Sequence, residues 1–155
     1  MIPDLLRIPL AVHEDERGWF CELRRDSSLP QGMMQTNVSF SRAGVIRGLH
    51  YHERGQDDLF ACIQGVARVV VLDRDTGETY TEDIGDENRV ALYIPGLHGH
   101  GFEALTDILF CYHVTAEYDP ADPDEQTIPW NDPRVAHLWS TSTPILSARD
   151  AAVAS

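Results

Sequence analysis

Alternating or β-branched apolar residues recur in short runs along this chain, over residues 5–12, 19–23, 34–40, 45–51, 59–63 and 66–72. They continue over 79–84, 89–94, 101–105 and 108–115, with turn residues between them. A period of two marks a strand with one face turned to a core. Within 108–115, Leu109, Cys111 and His113 alternate with Phe110, Tyr112 and Val114, which predicts a strand buried on both faces. Asp75-Thr76-Gly77 predicts a hairpin turn with its glycine at positive φ. About ten strands without a long amphipathic helix predict an all-β sandwich or barrel. One helical turn is expected near 26–33, where Asp26-Ser27-Ser28 offers capping side chains. Prolines 120, 123, 129 and 133 remove backbone donors, so 119–133 is expected as an ordered loop or edge segment. The tail after Asp150 is expected to fray.

At 155 residues the chain is expected to form one domain over 1–155, large enough for a core without disulfides or a structural metal. The start, Met1-Ile2-Pro3-Asp4, lacks the basic and apolar stretches of a secretion signal, and no apolar run is long enough for a membrane span. Cys21, Cys62 and Cys111 are odd in number and widely spaced, as reduced, packed thiols would be. A cytoplasmic protein is the expectation. A net charge of −13 excludes nucleic acid and anionic membrane surfaces as partners, although a few arginines can still form a local anion pocket. All 12 basic residues are arginine, which rules out lysine Schiff-base chemistry and a Walker-type phosphate loop.

Candidate chemistry is concentrated in four places. Arg47-Gly48-Leu49-His50-Tyr51 ends an apolar strand; His100-Gly101-Phe102, the pair Tyr112 and Tyr118, and the closing Pro144-Ile145-Leu146-Ser147-Ala148-Arg149-Asp150 follow. A base, an orienting carboxylate and a phenolic acid are what proton abstraction beside a carbonyl requires. Taken singly, His50 would ordinarily be a satisfied core residue, Tyr112 a structural phenol and Asp150 a solvated tail residue.

The set, in this order, resembles the dTDP-4-dehydrorhamnose 3,5-epimerase family, a branch of the cupins. Asp15-Glu16-Arg17-Gly18-Trp19-Phe20-Cys21-Glu22 is similar to its D-x-R-G-x-F-x-E segment, and Gln35-Thr36-Asn37-Val38-Ser39 to its Q-x-N-x-S. Glu125, Ile128, Trp130, Asp132 and Pro133 are similar to E-x-x-I-x-W-x-D-P. The resemblance runs from about residue 1 to residue 150. It implies a cupin jelly-roll β-barrel (a double-stranded β-helix) with short peripheral helical turns. It further implies epimerisation of a dTDP-4-keto-6-deoxyhexose at C3, C5 or both, with no added cofactor and no metal. His50 would be the base, Asp150 its carboxylate partner and Tyr112 the donor on the opposite sugar face. Tyr118 would stack on thymine, Arg47 would hold the diphosphate, and His100 would lie near the C4 oxygen. Arg17, Phe20, Glu22, Gln35, Asn37, Glu125 and Arg149 would contact substrate, the first three across a homodimer interface formed by N-terminal strands.

One position departs from the family. Gln56-Asp57-Asp58-Leu59-Phe60 stands where Q-x-K-[LY]-V is usual, so Asp58 replaces a lysine that faces the enolate oxygen. An ionised carboxylate would repel that oxygen by about 4 kcal/mol at 4 Å and an effective dielectric near 20. Three outcomes are therefore expected at this position: Asp58 is protonated, His52, Arg54 or His100 compensates for it, or catalysis is weakened or lost. The same residues also fit a rival from another class. His50-x-His52, Asp58 and Gly65, followed by Pro95-Gly96-Leu97-His98-Gly99-His100, are similar to the two metal-binding cupin motifs. That pattern implies three histidines and one carboxylate around iron, manganese or zinc. A sugar-nucleotide-binding protein without turnover is the third alternative.

Overall fold

The computed structural model describes residues 1–154. Its strands, in chain order, are β1 (Leu6–Pro9), β2 (Val12–Asp15), β3 (Gly18–Cys21), β4 (Gln35–Ser41), β5 (Ile46–Tyr51) and β6 (Asp58–Gln64). β7 (Val66–Leu72), β8 (Thr79–Gly85), β9 (Val90–Ile94), β10 (Gly99–Ala104), β11 (Ile108–Val114) and β12 (Gln126–Thr127) complete them. Two five-stranded antiparallel sheets, ordered β1-β9-β6-β11-β4 and β12-β5-β10-β7-β8, pack as a jelly roll, and β2-β3 forms a separate hairpin. The Asp75-Thr76-Gly77 turn joins β7 to β8, with Gly77 at φ 77°.

Why so many strands are apolar on both faces follows from three packing layers. Between the sheets lie Phe60, Val69, Val71, Leu92, Ile94, Phe102 and Phe110. Outside the second sheet, Leu49, Val70 and Leu72 are covered by Ile128, Val135 and Trp139. Outside the first, Leu59, Ala61, Ala91 and Tyr93 meet Met33, Leu23 and Leu29. Each fully buried side chain of this size contributes roughly 1.5–3 kcal/mol over an exposed one. β9 and β10 are consequently buried along their whole length, and β11 nearly so, as its two apolar faces predict. β4 differs: it is an edge strand in which Val38 and Phe40 remain 62% and 59% exposed.

Three local expectations change. The run 5–12 breaks in two, because the chain leaves the sheet after Pro9 and Val12 opens the β2-β3 hairpin. The expected helical turn is a single 3-10 turn, Asp26–Ser28, with no side-chain cap. The tail does not fray over its described part. Ala148–Val153 is helix α1, its N-cap Ser147 accepting a hydrogen bond from the Asp150 amide at 3.1 Å. Among the described residues no helix is long and apolar enough to cross a membrane.

Candidate active site

A cavity of about 580 Å³ opens between the sheets. β5 and β10 form one wall with Arg47, His50, His100 and Phe102; β4, β6 and β11 form the other with Gln35, Asn37, Asp58, Phe60 and Tyr112. The first wall depends on a close backbone approach. Gly48 has φ 121°, and a Cβ there would come within 2.8 Å of Gly101 Cα and of the His100 carbonyl oxygen. Glycine at both positions lets β5 and β10 pair with His50 opposite His100.

Two segments outside the main strands then close on His50. Residue 145 bridges to residue 45, with the Ile145 amide donating to the Gly44 carbonyl at 2.9 Å, and this pins the strap that leads into α1. Asp150 thereby reaches His50, Oδ1 lying 2.9 Å from Nε2. Far from being a solvated tail residue, Asp150 is 3% exposed. From the other side β12 pairs with the end of β5, Thr127 opposite His50, which brings Glu125 Oε1 to 3.1 Å from His50 Nδ1. Arg149 holds Glu125 through two hydrogen bonds, 2.7 and 2.9 Å, and its Nη2 lies 3.0 Å from His50 Nε2. Burial pushes both carboxyls up. For Asp150 the hydrogen bond and charge of His50, with Ser147 and Arg149, together outweigh it, and for Glu125 the hydrogen bonds and charge of Arg149 with His50 and His52 do, so both titrate below the usual carboxylate range.

A second cluster lies deeper. His52, Asp58 and His100 are buried, with 5%, 4% and 3% of their surfaces exposed. His52 Nε2 is 3.6 Å from Asp58 Oδ1, and His100 Nε2 is 3.5 Å from Asp58 Oδ2. The Gln56 side-chain amide reaches both His52 Nε2 and Asp58 Oδ1 at 3.0 Å. Burial opposes charge on this pair, yet the mutual attraction of Asp58 and His100 prevails, lowering the carboxyl and raising the imidazole. His52 is pushed down, by burial first and by His100 second. Of the three groups expected to compensate Asp58, two are in reach; Arg54 instead points at Asp122, 2.7 Å away.

The remaining expected site residues divide. Tyr112 lines the wall opposite His50, and burial pushes its phenol up, so it stays protonated at neutral pH. Gln35 accepts a hydrogen bond from the Tyr118 amide at 2.8 Å and donates to Asn37 at 2.9 Å, so the three form one side of the mouth. Arg47 lines the pocket while donating to Ser41 Oγ and to the Phe40 carbonyl. Arg17, Phe20 and Glu22 do not reach this cavity. They sit on or beside the hairpin, where Arg17 pairs with Asp15, Glu22 pairs with Arg25, and Phe20 is 67% exposed. Of the expected four-ligand metal set, His52, Asp58 and His100 come together, whereas His50 is engaged by Asp150 and Glu125, and His98, the alternative to His100, donates to the Pro3 carbonyl at 3.1 Å. Sequence reasoning missed Asp124 and gave Gln56 no role. Asp124 takes the His52 Nδ1 proton on its carbonyl and the Glu53 and Arg54 amides on its carboxylate. In a loop rich in Asp and Pro, no spacing signal distinguishes it.

Comparison with known proteins identifies the family of the chain. A family model described as dTDP-4-dehydrorhamnose 3,5-epimerase matches residues 1–155. The spore coat polysaccharide biosynthesis protein SpsL of Bacillus subtilis is 39% identical over 140 residues, covering 85% of this chain and 92% of that protein. The dTDP-4-dehydrorhamnose 3,5-epimerase of Salmonella typhimurium is 35% identical over 166 residues, covering 97% and 90%. The crystal structure of the dTDP-6-deoxy-D-glucose-3,5-epimerase of Legionella pneumophila in complex with dTDP-4-keto-L-rhamnose superposes with a TM-score of 0.86 at 30% identity. The match covers 97% of this chain and 87% of that one.

Proposed function

The chain belongs to the dTDP-4-dehydrorhamnose 3,5-epimerase family, and from that membership we propose that it epimerises a dTDP-4-keto-6-deoxyhexose at C3, C5 or both. The observation that carries the proposal is the pairing of walls. His50, held by buried Asp150, faces the cavity from one sheet, and Tyr112 faces it from the other. Inversion at a carbon beside a ketone needs a base on one face of the ring and an acid on the opposite face. With Asp150 accepting the Nε2 proton, Nδ1 takes the proton from carbon once the sugar displaces Glu125 Oε1, which borders it at 3.1 Å. Asp150 and Glu125 stabilise the imidazolium so formed. Tyr112, its phenol kept neutral by burial, then delivers a proton to the other face.

The rest of the pocket suits the nucleotide. Tyr118, 52% exposed at the mouth, offers a face for the thymine ring, and Arg47 offers a planar fork for diphosphate oxygens. Arg149 and Glu125 border the sugar, and Gln35 and Asn37 offer amides to the nucleotide end. We place the activity in one domain that works as a homodimer. The exposed side chains of Trp19, Phe20, Val38 and Phe40 support this, because an apolar hairpin and edge strand are readily covered by a second copy. Such pairing brings Arg17, Phe20 and Glu22 to the neighbouring cavity. Three free cysteines, two of them buried, fit a reducing cytoplasm.

The test is incubation with dTDP-4-keto-6-deoxyglucose in D2O, with the label located by NMR. Deuterium at C3, C5 or both is expected. Bound nucleotide sugar without any incorporation would leave a binding protein and sink the proposal.

A further inference from the structure

We infer that His52, Asp58 and His100 form a binding site for one divalent transition-metal ion on the floor of the cavity. Their donor atoms all lie within 4.8 Å of one another, and all three side chains line the pocket. The tautomers of the two histidines carry the inference. His52 Nδ1 has a backbone carbonyl as its partner, that of Asp124, and His100 Nδ1 has the carbonyl of His98 at 2.9 Å. A carbonyl can only accept, so each Nδ1 must carry the proton, and in the neutral ring each Nε2 is left as a lone pair. Both lone pairs converge on a buried carboxylate, which is itself only an acceptor. Three acceptors around one point call for a positive charge between them.

Gln56 meets part of that need, its amide reaching His52 Nε2 and Asp58 Oδ1. It does not touch the third contact, between His100 Nε2 and Asp58 Oδ2 at 3.5 Å. Either a proton or a cation fills it. Two imidazoles and one carboxylate form a donor set that suits zinc, iron or manganese, with other positions left open. Tetrahedral ligands at metal distances of roughly 2.0–2.2 Å stand about 3.3–3.6 Å apart. The two nitrogen-to-oxygen separations, 3.6 Å from His52 to Oδ1 and 3.5 Å from His100 to Oδ2, are at the upper end of that range, each to its own oxygen of Asp58, so the carboxylate would face the ion with both oxygens. Donation of the second ring nitrogen to a backbone carbonyl is the outer support that metal-bound histidines use, and both have it here. Binding requires the Gln56 amide to turn away. The site is distinct from the His50 cluster, whose nitrogens are already engaged by Asp150 and Glu125. Its catalytic consequence, a positive charge facing the enolate oxygen, rests on the proposed epimerisation; the binding itself does not.

The experiment uses full-length protein stripped with a chelator and titrated with Co²⁺, followed by its visible absorption bands, and with Zn²⁺ by calorimetry. About one ion per chain is expected, with a rise in Tm. Asp58→Asn and His52→Gln should each weaken Co²⁺ binding by more than the roughly 10–100-fold that loss of an outer partner costs. His98→Ala should bind as the wild type does, since His98 sits on the Pro3 carbonyl. Two variants at separate positions, each checked by circular dichroism, guard against a substitution that simply unfolds the chain. Failure of wild-type protein to take up Co²⁺ or Zn²⁺ stoichiometrically would overturn the inference and leave a proton shared by Asp58 and His100. Undiminished binding by both variants would overturn it equally. Deuterium exchange measured on the same samples separates the two readings. Stoichiometric metal without exchange defeats the epimerase proposal alone, and exchange in protein that never binds metal defeats this one alone.

Discussion

His50 and His52 stand two residues apart, yet the molecule treats them as different chemical groups. His50 is at the mostly buried rim of the cavity, between two carboxylates and an arginine, where charge can form and be neutralised as a proton moves. His52 is on the floor, buried, with its Nδ1 proton committed to a carbonyl and its other nitrogen aimed at Asp58. Residue type gives both the same intrinsic chemistry. The neighbours brought by residues 124–127 and 145–150 decide which one can cycle a proton and which one is held with its Nε2 turned to Asp58. Two strand-end histidines on one face suggest a shared ion; partners drawn from distant loops pull them apart.

The sharpest way to break this contrast is to remove the rim imidazole. His50→Ala should lower solvent exchange at the sugar carbons by roughly 10²–10⁴-fold, the usual contribution of a positioned general base. dTDP affinity should stay near wild type, because His50 makes no contact assigned to the nucleotide. Equal exchange in His50→Ala and wild type, measured by NMR in D2O, would move the base elsewhere in the pocket.

Asp150→Asn comes next. The amide can donate to Nε2, which reverses the tautomer and places the imidazole proton on the nitrogen that must act as base. Exchange should drop by up to the roughly 10²–10⁴-fold that loss of the base itself costs, since the reversed tautomer leaves Nδ1 without its lone pair. A loss in kcat with little change in KM would mark a group acting through His50 and not on substrate binding.

Tyr112→Phe probes the opposite wall. Proton removal should persist, while completed inversion falls by about tenfold or more, since water is the only remaining donor on that face. The diagnostic is label washed into starting material without matching product. Parallel loss of both would mean that Tyr112 assists His50 or holds the pocket's shape.

How far the sequence reaches differs between the two clusters for a physical reason. Strand positions follow from period-two patterning, and His50, Asp58, His100 and Tyr112 all fall on or beside predicted strands because in-and-out alternation is local. Asp150 could be singled out only through the closing L-S-x-R-D motif; nothing in a tail residue's own neighbourhood announces that it will be 3% exposed. Its placement depends on a strap pinned 100 residues away, and such long-range contacts leave no periodic trace. Asp124 and Gln56, which set the tautomer and the charge of the floor cluster, act through a carbonyl oxygen and an amide. The Asp124 carbonyl is a backbone group with no side-chain signature, and the Gln56 side chain reads like that of any other glutamine. The hairpin residues Arg17, Phe20 and Glu22 lie off the cavity of their own chain, and the motif that contains them cannot say which copy they serve.

The smallest expected effect is on stability, and it tests whether the rim cluster is built around charge. Asp150 and Glu125 both titrate below their ordinary values of 3.8 and 4.5 in the folded protein. A carboxyl whose folded value is depressed binds fewer protons than in the unfolded chain, so it stabilises the fold above its unfolded value. That contribution is lost as pH falls from the ordinary value through the lower folded one. Wild-type Tm should therefore decline with acidification below about pH 4.5. Asp150→Asn should be less stable than wild type at pH 7 yet show a shallower decline below that point, so the two curves converge at low pH. Arg149→Ala offers the comparison on the same cluster. Arg149 is half exposed, so its pairing with Glu125 is screened and worth no more than about 1 kcal/mol at neutral pH. It should lower Tm by less than Asp150→Asn does, since buried Asp150 has no solvent to replace its partner. Parallel acid curves for wild type and Asp150→Asn, recorded by calorimetry from pH 7 downward, would show that Asp150 orients His50 without the charge coupling assigned to it.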